Sequence, residues 1–91
     1  MSYTLVYTDS YNKKATRFLK KHPSLVSKYA KTLELLALNP AHPSLRLHKL
    51  EGRLNELYSV SINLQYRIVL YVIVVDKQII PVSVGDHAAV Y

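Results

Sequence analysis

Residues 65–75 read QYRIVLYVIVV, a run of β-branched and aromatic residues that carries one charge, Arg67, near its start. This composition predicts a strand buried on both faces, at the centre of a sheet. A guanidinium does not give up its proton, so within a sheet it must reach an anion or solvent. Arg67 therefore either escapes to a rim or stands beside a cleft that takes a phosphate or carboxylate.

The flanking segments supply the rest of the sheet. From Leu54 to Ile62, Tyr58, Val60 and Ile62 alternate with Leu57, Ser59 and Ser61, the pattern of a half-buried strand. Asn63-Leu64 makes a tight connection into the central run; Ser59 and Ser61 share a face of their strand, and Arg67 lies on the same face of its own strand as Gln65, Val69 and Tyr71. Downstream, Asp76-Lys77 is a short turn and Gln78 to Val84 a last strand. Pro81 cannot donate a ladder hydrogen bond, so that strand needs an edge position or a bulge.

Towards the start of the chain, Tyr3 to Thr8 reads as a first strand, and Asp9 or Ser10 as a helix cap. Tyr11, Ala15, Phe18 and Leu19 then fall on one helical face, and Pro23 ends the helix by His22. Pro23-Ser24 opens a second helix with Leu25 or Val26, Tyr29, Leu33, Leu36 and Ala37 buried, until Asn39-Pro40 stops it. Ala41 to Leu45 reads as a loop, and Leu47 to Gly52 leads to a turn. The order β-α-α-β-β-β predicts one α+β domain over residues 1–91, an antiparallel sheet with a helical hairpin on one face.

With 49% hydrophobic and 20% charged residues, the 91-residue chain is globular in composition. It has no cysteine, which excludes disulfides and thiolate metal sites. No long apolar run opens it, so no membrane span is expected and the cytoplasm is the expected location. Twelve Lys and Arg against six Asp and Glu give a formal charge of +6. Lys13, Lys14, Arg17, Lys20, Lys21, Lys28 and Lys31 have no acid among them, and Arg46, Lys49 and Arg53 bracket only Glu51. Such a surface is solvated, or it meets nucleic acid or an acidic protein.

His48, Lys49, Arg53, Arg67, His87 and Tyr91 form a chemically coherent set. They offer proton carriers near neutral pH, fixed cations for an oxyanion, and a ring to stack on a base. Outside this set, His22 and His42 each precede a proline and read as solvated, and Tyr66 and Tyr71 as sheet aromatics. No HExxH spacing points to zinc. Gly52 and Gly85 are the only glycines, too few for a phosphate loop. Ser59 and Ser61 lack a nucleophile-elbow motif.

Three segments, LHKLEG (residues 47–52), YRIVLY (66–71) and VGDHAAVY (84–91), resemble in order and spacing those of the RelE/ParE toxin superfamily, particularly its YafQ-like messenger-RNA interferases. The resemblance implies a small antiparallel sheet with two helices packed on it. It also implies an endoribonuclease that cuts translated mRNA in the ribosomal A site, using the 2′-hydroxyl of the RNA and neither metal nor cofactor. By position, His48 and His87 would transfer protons, Arg67 would stabilise the phosphate, and Tyr91 would position the nucleotide. Lys49, Arg53 and Tyr66 would bind RNA. Where YafQ-like members place a histidine and an acid around the hairpin, this chain has Ser61 and Gln65. The implied partners are mRNA, the ribosome and an antitoxin with an acidic, partly disordered segment. The same resemblance leaves open a ParE-like inhibitor of DNA gyrase without nuclease activity, or an inactive relative that binds RNA or antitoxin.

Overall fold

The computed structural model describes residues 2–50 and 57–86. Among them, five strands form one mixed sheet in the order β1-β5-β4-β3-β2, namely β1 (Thr4–Leu5), β2 (His48–Lys49), β3 (Leu57–Ser61), β4 (Tyr66–Ile73) and β5 (Gln78–Asp86). Two helices, α1 (Asp9–Lys21) and α2 (Val26–Leu38), follow β1 in the chain. The α+β architecture with a helical hairpin on one face is the one expected. Two features differ: β1 runs parallel to β5, which makes the sheet mixed, and β2 is an additional strand.

The helix ends follow from local chemistry. Thr8, rather than Asp9 or Ser10, caps α1, its Oγ1 accepting from the backbone N–H of Tyr11 at 3.1 Å. Asp9 then sits in the first turn and Lys20 and Lys21 in the last, where each complements the helix dipole. Pro23 starts a single 3-10 turn (Pro23–Leu25) before α2 begins. That turn tucks Leu25 against the core and leaves Val26 exposed. On α2 the buried positions are Tyr29, Thr32 and Leu36, and Thr32 is accommodated because its hydroxyl donates to the Lys28 carbonyl at 2.7 Å.

β4 lies at the sheet centre and is buried on both faces over its first half. On the helical side Ile68 and Leu70 join Tyr11, Ala15, Phe18, Tyr29, Leu36, Val60 and Ile79 in the main core. On the other side Val69 meets Leu50 and Leu57 in a smaller cluster, with Val82 packed against it. The strand ends at Ile73, and Val74 and Val75 are exposed in the turn that follows, since the chain must reverse before β5. Lys77 takes a positive φ of 52° to complete that reversal.

Pro81 sits at an irregularity of the kind its missing N–H demands. Val69 pairs with Ser83 and Leu70 with Pro81, so Val82 is an extra residue bulged out of β5. The Lys14 ammonium donates to the Val82 carbonyl at 3.3 Å. β1 pairs with Gln78 and Ile79 and stops short of the proline, so β5 is an inner strand. Among the described residues no helix is long and apolar enough to cross a membrane.

Within the main core the hydroxyls of Tyr11 and Tyr29 lie 2.7 Å apart and satisfy one another. Burial raises the pKa of both above the ordinary tyrosine value, and the hydrogen bond to Tyr29 raises that of Tyr11 further. A phenol that resists ionisation in the folded state adds stability that is complete below pH about 10. That stability is lost as the pH rises further, because the unfolded chain ionises first. Denaturant titrations from pH 8 to pH 11 should show stability falling above pH 10, by up to about 1.4 kcal/mol per pH unit for each tyrosine. Tyr11→Phe should flatten that decline and cost about 1 kcal/mol at neutral pH through the lost hydrogen bond.

Candidate functional site

The site lies on the sheet face opposite the helices. Side chains alternate along a strand, so Tyr66, Ile68 and Leu70 point to the helical core while Arg67 and Val69 point away. Register then places Ser61 across from Arg67 on β3, Gly85 across from it on β5, and His48 across from Ser59. Gly85 has no side chain to set beside the guanidinium.

Arg67 is 6% exposed, and a cation this deeply enclosed must be hydrogen-bonded. Its Nε donates to Ser59 Oγ at 2.9 Å and its Nη1 to Ser61 Oγ at 3.3 Å. Ser61 passes its own proton on to the Asn63 carbonyl at 3.1 Å. Nη2 donates to the Arg46 carbonyl at 3.0 Å, faces His48 Nδ1 at 3.2 Å and reaches the Ser59 carbonyl at 3.4 Å. The acceptors in these contacts are neutral, so they fix the orientation of the cation without a charge of their own.

A guanidinium nitrogen only donates, so it bonds to His48 Nδ1 in the tautomer that carries its ring proton on Nε2. The Arg46 carbonyl lies 3.3 Å from the same Nδ1. Arg46 itself adopts a left-handed backbone, φ 49° and ψ 47°, at the end of the 3-10 turn Pro43–Leu45. That turn is held by His42, whose ring nitrogen accepts from the Ser44 N–H at 3.1 Å, and is anchored by buried Leu45. The bend delivers the Arg46 carbonyl to the guanidinium and starts β2 in line for His48.

The residues singled out from sequence divide three ways. Arg67 and His48 come together. Lys49 is exposed on β2 and pairs with Tyr58, so it alternates to the other face from His48. Tyr66 also belongs to the helical side. Its ring lies 5.1 Å from Phe18, edge-on, and 4.7 Å from His22, a packing role that separates it from the guanidinium. Arg53, His87 and Tyr91 lie outside the described residues. The Arg46 carbonyl was not foreseeable, since a backbone oxygen carries no mark in sequence. Ser59 and Ser61 were visible as a face but not as the partners of Arg67.

No protein-family model matches the sequence, and no curated protein matches it. Solved structures do match over nearly the full length. In the Escherichia coli DinJ–YafQ toxin–antitoxin complex the matching chain is 18% identical, with a TM-score of 0.78, covering 100% of this chain and 99% of its own. The YoeB/ParE toxin of Agrobacterium tumefaciens is 18% identical, with a TM-score of 0.75 over 92% of this chain and 98% of that one. The YoeB dimer from Staphylococcus aureus is 23% identical, with a TM-score of 0.73 over 96% and 99%. The chain has the RelE-like toxin fold. The fold implied by the sequence resemblance is thus matched by the three-dimensional architecture. Among the described residues no group of three or more His, Asp or Glu is placed to hold a metal ion.

An unsatisfied charge at Arg67 would make its removal stabilising. The observed bonds reverse that expectation. Arg67→Ala strips donors from Ser59 and Ser61, both buried, and opens a void. Chemical denaturation of Arg67→Ala should show a loss of about 1–3 kcal/mol.

Proposed function

We propose that this chain is the toxin of a type II toxin–antitoxin pair, an endoribonuclease that cuts translated mRNA in the ribosomal A site. The observation that carries this reading is the buried Arg67 guanidinium set 3.2 Å from the imidazole of His48. It stands on a sheet face that the helices leave uncovered, in the fold shared with the YafQ and YoeB toxins. One solved relative is a toxin–antitoxin complex, which supports an antitoxin as partner. An acidic, partly disordered antitoxin segment suits the +6 charge of the chain. The cytoplasm, where mRNA is translated, is the matching location.

The reaction needs no group beyond RNA and side chains. The 2′-oxygen attacks the adjacent phosphorus, forming a P–O2′ bond as the P–O5′ bond breaks. One imidazole takes the 2′-hydroxyl proton and another delivers a proton to the departing 5′-oxygen. The products are a 2′,3′-cyclic phosphate and a 5′-hydroxyl. His48 and His87 are the proton carriers in this scheme, and Arg67 offsets the charge that builds on the phosphate. Tyr91 positions the nucleotide, and Lys49 and Arg53 bind the RNA backbone. Tyr66 serves indirectly, by packing behind the strand that carries Arg67.

Primer extension on a message translated in the presence of the purified protein tests the reading. Discrete cuts are expected with the native chain. His48→Ala and His87→Ala should each slow cleavage by about 10²–10⁴. Arg67→Lys, which keeps the charge but not the planar fork of donors, should also be strongly impaired. An uncut message, together with inhibited DNA supercoiling, would assign the chain to gyrase inhibition instead.

A further inference from the structure

A second feature borders the Arg67 site and is not used by the chemistry above. A groove runs between α2, the 3-10 turn Pro43–Leu45 and the connection from β3 to β4. Lys28, Lys31 and Arg46 border it, and its walls include Ser61, Asn63 and Leu64. Among the described residues that line it, none is acidic. Three cations on one concave surface with no counter-charge among its described lining residues favour an anionic occupant.

Two residues join this groove to the site. Ser61 accepts from Arg67 Nη1 while also forming part of the groove wall. Arg46 gives its carbonyl to Arg67 Nη2 and lines the groove as well. The groove therefore begins where the guanidinium ends. Leu64 is 84% exposed at its edge, an apolar surface beside fixed cations. That pairing suits a chain whose charges alternate with flat, partly apolar bases.

We infer that this groove holds the single-stranded RNA flanking the scissile phosphate, with Lys28 and Lys31 on a neighbouring phosphate and a base or ribose against Leu64. The inference rests on the nuclease reading and adds to it a path for the substrate. Lys28 and Lys31 lie three apart on α2 and so share a face of the helix, as phosphate contacts on one strand require.

The test compares binding of uncleavable RNA, a dimer and a hexamer with 2′-O-methyl ribose at each position, by fluorescence anisotropy over a series of salt concentrations. The native chain should bind the hexamer more tightly than the dimer. The double variant Lys28→Gln/Lys31→Gln should bind the hexamer about tenfold more weakly and lose the preference for length. The slope of log affinity against log salt should become shallower by about 0.7, the share of one phosphate contact on a single strand. Lys20→Gln, on the exposed side of α1, should leave both quantities unchanged, and equal thermal melts would show that the variants fold. A hexamer bound equally by native chain and double variant would overturn the groove while leaving the nuclease reading intact. A native chain that bound neither RNA would overturn both.

Discussion

A cation held almost out of reach of water is expensive, and the arrangement around Arg67 is what makes it tolerable. Two serine hydroxyls, two backbone carbonyls and an imidazole nitrogen surround one planar group with five N–H donors. The serines must stand two residues apart on the neighbouring strand, facing the same way. A slip of β3 by one residue would replace Ser59 and Ser61 with Tyr58 and Val60 and set apolar side chains against the charge. Polar contact and strand register therefore enforce one another.

The remaining architecture serves that register. Asn63 accepts from the backbone N–H groups of Gln65 and Tyr66 at 2.9 and 2.8 Å, closing the β3–β4 connection at one length. The helical hairpin packs on the opposite face, where the main core lies. This frees the Arg67 face from carrying the core and lets it hold polar groups. On that face Leu50, Leu57 and Val69 form only a small apolar cluster.

Much of this was legible from residue pattern. Periodicity separated Tyr58 and Val60 from Ser59 and Ser61, and the unbroken apolar run put β4 at the centre. Proline marked both the end of α1 and the bulge in β5. Short-range signals failed where tertiary contacts decide. β2 has two residues, too few for any period, and exists because β3 offers its edge, whereas β1 was legible as a strand but is shorter than Tyr3 to Thr8 and takes its parallel pairing from β5. Thr8 outcompeted Asp9 and Ser10 as cap through the exact turn in which the chain enters the helix, which composition does not resolve. Tyr66 looked available for RNA, but parity along the strand turns it towards Phe18 and His22. The partnership of Arg67 with a carbonyl two strands away required the left-handed bend at Arg46, a conformation that an arginine does not advertise.

The pairing of residues 4–5 with residues 78–79 has a bearing on how the molecule comes into being. The two segments are almost a whole chain apart, so that contact closes a very long loop and contributes to slow assembly. Until β5 is in place, β4 exposes an unpaired apolar edge of the kind that recruits other chains. A nascent copy is thus vulnerable until β5 has been made, and the surroundings of the buried arginine mature only with that strand.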